Sequence, residues 1–203
     1  MSAPVFLLAT NNKGKLAELR PIFGALGLDC VSMREAGVES DPEETGDTLE
    51  ENAIIKAKAA LAASGMPSVA DDTGLMVDAL DGAPGVRSAR FAGGHDVEDA
   101  DKCAFLLKKM ENAEQRTARF VTYIACAFPN GDMIIVHGEC RGRITEQMQG
   151  ESGFGYDPLF VPDGFDKTFA ELGAEVKNGI SHRARAIELL KAELARYFGR
   201  KTC

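Results

Sequence analysis

Two adjacent carboxylates, Asp71 and Asp72, run into Thr73-Gly74 directly after the apolar residues Val69 and Ala70. Neighbouring acids repel, and a divalent cation is the simplest way to keep both ionised. Mg²⁺ ordinarily takes one or two carboxylates, several waters and the phosphate oxygens of a substrate. As a turn beside glycine the same residues would need no ligand. A second acidic pair, Glu43-Glu44, lies in the loop 41–46; taken alone it is a solvated face, and it gains meaning only as a partner of Asp72.

Cationic and aromatic groups gather elsewhere. Thr10-Asn11-Asn12-Lys13-Gly14-Lys15 follows an apolar run and opens a periodic segment. The bare N–H groups of a helix start attract anions, and two lysines among small polar side chains strengthen that preference. The segment is not a P-loop, because G-x-x-x-x-G-K-[ST] is absent. Gly153-Phe154-Gly155-Tyr156-Asp157-Pro158, with Lys177 and Ser181-His182-Arg183, forms the fourth group. Glycines around an aromatic ring let a flat base approach the backbone, and His182-Arg183 at a helix start point donors at a ligand. The competing reading is core packing for Phe154 and Tyr156 and a surface cap for His182.

The composition limits what these groups can serve. The chain has 203 residues, 45% hydrophobic and 27% charged, enough for one large domain that needs no staples. Its net charge of −8 argues against a duplex nucleic-acid partner, which demands a basic face. It leaves room for a small anionic substrate, since a few local cations offset the global field. Five cysteines with no C-x-x-C fit a reducing compartment rather than a disulfide framework or a zinc site. No apolar run approaches the length of a membrane helix, and the first residues do not read as a signal peptide. A cytoplasmic protein with no membrane partner is expected.

The elements that must position these groups follow from periodicity. Val5–Ala9 reads as a strand, the segment with Leu16, Leu19, Phe23 and Leu26 as a helix, and Cys30–Ser32 as a second strand. Asp47, with Glu50 three residues on, is expected to cap an alanine-rich helix ending at Gly65. Two short strands are expected next, one entering Asp71-Asp72-Thr73-Gly74 at its end and one over Leu75–Leu80. Arg119–Phe128 and Met133–Glu146 flank the hairpin signal Pro129-Asn130-Gly131-Asp132. Phe165–Leu172 reads as a loop or single turn, and a last helix follows Ser181. The pattern predicts one α/β domain over residues 1–203, two-lobed, with a mixed sheet and the site in the cleft between the lobes.

Together these segments resemble the inosine triphosphate pyrophosphatase family, which cleaves deaminated purine nucleoside triphosphates to monophosphate and pyrophosphate. The resemblance rests on residues 8–15, Glu43-Glu44-Thr45-Gly46, Glu51-Asn52-Ala53, residues 70–75, Gly82-Ala83-Pro84-Gly85, Ser88-Ala89-Arg90-Phe91, residues 153–158 and Ile180-Ser181-His182-Arg183, all in the family's order. It implies an elongated α/β fold, a homodimer, Mg²⁺ as cofactor and ITP, dITP or XTP as substrate. Residue by residue it implies that Thr10, Asn11, Asn12, Lys13, Gly14 and Lys15 grip the triphosphate. Asp72 becomes general base and metal ligand, Glu43 the second metal carboxylate with Glu44 its neighbour, and Arg90 an extra cation. Thr73, Phe154, Gly155, Tyr156, Asp157, Lys177, His182 and Arg183 complete the substrate contacts, the last seven around the base. Thr73 stands where the family commonly has Ser, and Asn11 where many relatives have Gly.

Two other readings compete. Asp72-Thr73-Gly74 is a D-[TS]-G triplet of the aspartic-protease kind, but Asp71 would add a third acid to a dyad that shares one proton. That reading also leaves the lysine loop and His182-Arg183 without a role. A nucleotide-sensing module without turnover would keep the phosphate and base contacts and dispense with the carboxylates, which are present here.

Overall fold

The computed structural model describes residues 4–94 and 97–200, apart from the side chains of Ile22 and Arg200. Its strands are β1 (Phe6–Leu8), β2 (Cys30–Ser32), β3 (Ser68–Val77), β4 (Thr117–Ala127), β5 (Met133–Ile144) and β6 (Phe160–Pro162). They form a six-stranded mixed sheet in the order β2-β1-β3-β4-β5-β6. The helices are α1 (Lys13–Ala25), α2 (Leu49–Ser64), α3 (Asp99–Lys109), α4 (Phe169–Ile180) and α5 (His182–Arg200). The fold is α/β. The chain divides into two compact units, one built from residues up to Asp72, Thr122–Gly138 and the segment from Arg185 on, the other from Thr73–Val121 and Glu139–Ala184. Strands β3, β4 and β5 each contribute one part to either unit.

In the first unit β1 lies parallel to both β2 and β3, with Leu7 opposite Val31 and Leu8 opposite Val69. A strand alternates its side chains, so consecutive apolar residues must find cover on both faces. Phe6 and Leu8 pack with Val69 against Leu19 and Phe23 of α1 and Ile187, Leu190 and Leu194 of α5. Leu7 turns the other way, to Met33 and to Ala60 of α2. Ala53 and Ala57 of α2 sit on Ala70, Ala125 and Ala127; small residues on both partners let helix and sheet approach closely.

The second unit has its own core. Leu75 and Val77 of β3 meet Cys103, Leu106 and Met110 of α3, Phe120 of β4, Ile144 of β5, Phe160 of β6 and Phe169 of α4. Strand β6 pairs antiparallel with β5, Gly142 facing Pro162. A Cβ on Gly142 would lie 2.2 Å from the Val161 carbonyl oxygen, so only glycine permits this approach.

Several elements differ from expectation. The helix expected to be capped by Asp47 and Glu50 is capped one residue later. Thr48 Oγ1 accepts the Glu51 N–H, and the Glu51 carboxylate accepts the N–H groups of Thr48 and Asp47. Residues 68–77 form one ten-residue strand rather than two short ones, so Asp71-Asp72-Thr73-Gly74 lies inside a strand and not at its end. Residues 78–80 then make a single 3-10 turn. Residues 169–180, whose first part reads as loop, are helix α4, started by a second capping box between Thr168 and Glu171. That signature is present in the sequence, and Gly173 at φ 78° breaks the periodicity that would have extended it.

Cys30, Cys103, Cys126 and Cys140 are free thiols; Cys203 lies outside the described residues. Burial raises the first three, Cys103 to about 12, so they stay protonated at neutral pH. Among the described residues no helix is long and apolar enough to cross a membrane.

One surface carboxylate links α1 to the turn after β2. Glu35 accepts the Ser32 N–H at 2.8 Å and the Ser32 hydroxyl at 2.9 Å, and it also pairs with the Arg20 guanidinium. The Ser32 amide first, and then Arg20, hold its carboxyl down from 4.5 to about 2. A folded value below the unfolded one makes the stabilisation complete above pH 4.5 and lost as pH falls toward 2. Glu35→Gln is therefore expected to lower the melting temperature at pH 7, with the gap to wild type closing between pH 4.5 and 2 in a calorimetric pH series.

Candidate active site

The start of α1 is folded by its own side chains. Thr10 Oγ1 accepts the Asn12 N–H at 3.1 Å, and Asn12 Oδ1 accepts the Lys15 N–H at 3.1 Å. The first turn carries no acidic residue, so nothing there offsets the positive end of the helix. Asn11, Asn12 and Lys13 are exposed, Thr10 and Gly14 half-buried. Lys15 instead leans back to β3. Its ammonium lies 3.1 Å from Asp71 Oδ2 and donates to the Asp71 carbonyl at 3.3 Å.

Inside a strand, Asp71 and Asp72 must point to opposite faces. Asp71 follows Val69 toward the face covered by α1, and Asp72 follows Ala70 toward the face covered by α2. Each meets a lysine from the helix on its own side. Lys56 of α2 donates to Asp72 Oδ1 at 2.5 Å and lies 3.1 Å from Glu44 Oε1. The strand is thus the reason two adjacent acids coexist: separation by pleat and pairing with two ammoniums, rather than chelation of one ion by both. The Asp72 carbonyl accepts the Thr122 hydroxyl at 3.1 Å, tying β3 to β4 at this residue.

The loop carrying the acids is pinned by α2. Asn52, wholly buried, accepts the Gly46 N–H at 2.8 Å and donates to its carbonyl at 3.4 Å. A Cβ on Gly46 would lie 2.7 Å from Asn52 Oδ1. This clamp delivers Glu44 to Lys56, whereas Glu43 is exposed. Glu44 is thus the acid of this loop that pairs with Lys56.

Three carboxylates (Glu44, Asp71, Asp72) face two ammoniums (Lys15, Lys56), all of them largely buried. Burial pushes the Asp72 carboxyl above the usual range and Glu44 adds to that, while Lys56 and Lys15 oppose it. Burial alone would lower Lys56, but Asp72, Asp71 and Glu44 outweigh it, so Lys56 is raised and stays charged. Asp72 Oδ2 is buried with no hydrogen-bond partner among the described residues. An oriented carboxylate oxygen without a donor, beside a second acid, suits a hard cation. No three His, Cys, Asp or Glu side chains gather into a cage among the described residues. Carboxylates of this kind suit an oxygen-ligated cation that completes its shell with water or substrate oxygens, and do not make a closed zinc site.

The second unit holds the aromatic and cationic groups. Asp157, 2% exposed, accepts the Phe154 N–H at 3.0 Å and pairs with Lys177 at 2.7 Å. The Lys177 ammonium in turn stands 4.4 Å from the centre of the half-buried Phe154 ring, and the Arg183 guanidinium 5.8 Å from it. A cation over a ring face is attracted by the ring quadrupole. Arg183, 1% exposed, donates to Thr73 Oγ1 at 3.2 Å. His182 stacks on Phe120 with ring centres 4.7 Å apart, and Ser181 caps the helix by accepting the Ala184 N–H. Tyr156 faces inward instead. Its ring is 4% exposed in the core of this unit and its hydroxyl donates to the Ser88 carbonyl at 2.9 Å.

Sequence reasoning missed Lys56 and Phe120. Lys56 lies one helical turn after Asn52 in an alanine-rich helix, and that i, i+4 spacing was its only signal. Phe120 looks like any strand aromatic until His182 is seen lying on it.

A model of the Ham1 family matches residues 6–193. A dITP/XTP pyrophosphatase of Exiguobacterium sibiricum is 46% identical over 195 residues, 95% of this chain and 98% of that protein. A protein of the same name from Agrobacterium fabrum is 44% identical over 199 residues, 90% of this chain and 92% of that one. The structure of a HAM1 protein from Coxiella burnetii superimposes with a TM-score of 0.86 at 40% identity, covering 95% of this chain and 99% of that one. Matched by the family model over residues 6–193 and 40–46% identical to these proteins over at least nine-tenths of its length, this chain belongs to the Ham1 family.

Proposed function

We propose that the protein is a hydrolase of the nucleotide pool that cleaves dITP, ITP and XTP between the α- and β-phosphates, yielding the monophosphate and pyrophosphate. The activity named for its relatives supplies the reaction. The observation that carries it to these residues is Asp72: buried, one carboxylate oxygen held by Lys56, the other without a hydrogen-bond partner among the described residues.

The chemistry follows from that placement. Water attacks the α-phosphorus, its proton passes to Asp72, the bond from that phosphorus to the bridging oxygen breaks, and pyrophosphate leaves. Asp72 can orient and deprotonate the water because Lys56 fixes its carboxylate plane and burial raises its basicity. Mg²⁺, when bound at Asp72 and Glu44, supplies electrostatic stabilisation of the charge that develops on the phosphates. Lys13 and the residues from Thr10 to Lys15 engage the β- and γ-phosphates, aided by the open positive end of α1.

Base recognition belongs to the second unit in this reading. Phe154 stacks on the purine, held in place through Asp157 and Lys177. Hypoxanthine and xanthine present a 6-keto acceptor where adenine has an amino donor. Donors from His182 or Arg183 would face donor to donor with adenine, and an unmet buried polar group costs about 1–3 kcal/mol. Guanine shares the 6-keto group, so its exclusion acts at the 2-amino position. The reading includes a homodimer in the cytoplasm, and sedimentation equilibrium tests the dimer.

A nucleotide panel with pyrophosphate detection should show ITP, dITP and XTP turning over far faster than ATP or GTP, and turnover stopping in EDTA. Orthophosphate as first product, or equal rates on ATP, would refute this. Asp72→Asn should keep its circular dichroism spectrum and lose about 10²- to 10⁴-fold in kcat, the usual worth of a general base. Mg²⁺ alone should raise the melting temperature of wild type but not of Asp72→Asn, because a ligand that binds only the folded form stabilises it.

A further inference from the structure

The loop Gly153-Phe154-Gly155 is held at two successive peptide groups by two different carboxylates. The amide between Gly153 and Phe154 donates to Asp157 Oδ2 at 3.0 Å. The next amide, between Phe154 and Gly155, donates to Asp99 Oδ2 at 2.6 Å. Fixing the peptide planes on both sides of a residue fixes its φ and ψ, and with them the direction of its Cα–Cβ bond. The Phe154 ring is therefore aimed by Asp157 and Asp99 together.

Asp157 is local, three residues along and buried. Asp99 comes from the first turn of α3, 56 residues away in sequence, with a side chain 46% exposed. Cys103, one helical turn further on the same face, donates its thiol to the Gly155 carbonyl at 3.4 Å, so α3 grips both polar groups of that glycine. Gly155 has φ 62° and open space at its Cβ position, and a loop so free has no intrinsic preference for this shape. Lys102 lies 3.2 Å from Asp99 Oδ1 and leaves Oδ2 to the loop.

We propose that Asp99 is a positioning residue of the base site: by holding the Gly155 amide it sets the Phe154 ring for stacking on the purine. The proposal rests on the reading of Phe154 as the base-stacking ring. A charge-assisted hydrogen bond is short and directional, which suits a contact that must aim a side chain rather than bury one.

The chain contains no tryptophan, so Phe154→Trp places a single indole reporter on the loop. In that background Asp99→Ala should increase acrylamide quenching of the indole, and Asp99→Asn, which keeps an acceptor oxygen, should restore most of the protection. With Phe154 intact, Asp99→Ala should raise KM for dITP about tenfold while kcat stays within about twofold, and Asp99→Asn should recover most of the loss. Unchanged quenching in Asp99→Ala would overturn the proposal, as would a fall in kcat at constant KM. If wild type fails to cleave dITP the proposed function falls, and the quenching measurement still decides whether Asp99 orders the loop.

Discussion

A carboxylate pair inside a β-strand is the constraint around which the first unit is arranged. Adjacent acids in a loop could splay apart in solvent, but Asp71 and Asp72 are 3% and 7% exposed and fixed in the pleat. Each must be met by a cation on its own face of the sheet. Those faces are covered by α1 and α2, and each helix brings one lysine, Lys15 and Lys56, to the strand. The alanine face of α2 lets the helix come near enough for a lysine stem to lie along the sheet and deliver its ammonium. Truncating either lysine would take a cation away from a buried carboxylate, which is costly.

One atom of this arrangement is left open. Asp72 Oδ2 is buried with no hydrogen-bond partner among the described residues, while burial pushes that carboxyl above its usual range and Lys56 opposes the shift. A buried carboxylate oxygen without a donor is a local departure from a satisfied core, and such departures are expected where a ligand completes a site.

The second unit uses the same device with one acid serving two purposes. Asp157 neutralises the buried Lys177 and also accepts the Phe154 amide, coupling a cation, a ring and a backbone turn through one carboxylate. Gly153 is obligatory beneath it: at φ 85° a Cβ would lie 2.3 Å from Asp157 Oδ2. Arg183 and His182 emerge at the first turn of α5, one bonded to Thr73 and the other stacked on Phe120, so neither side chain wanders.

Much of this was legible from residue order alone. Apolar periodicity located the first and last helices, because burial on one face imposes its period on the chain; an unbroken apolar run marked the strand at Val5–Ala9, and turn residues marked the hairpin at 129–132. The acidic pair, the lysine loop and the Phe154 segment stood out because a fold by itself does not require them. The break in α4 at Gly173 and the extra length of β3 were not legible, since both depend on tertiary neighbours, whereas the Thr48-x-x-Glu51 capping box was present in the sequence one residue after the reading of Asp47. Composition and local pattern thus determined most element types and singled out the polar groups that a fold alone does not require. Only the tertiary structure decided that Lys56 serves Asp72, that Glu44 reaches Lys56, and that Tyr156 turns inward, because pairing of charges over long sequence separations is set by how helices lie on a sheet and leaves no trace in local spacing.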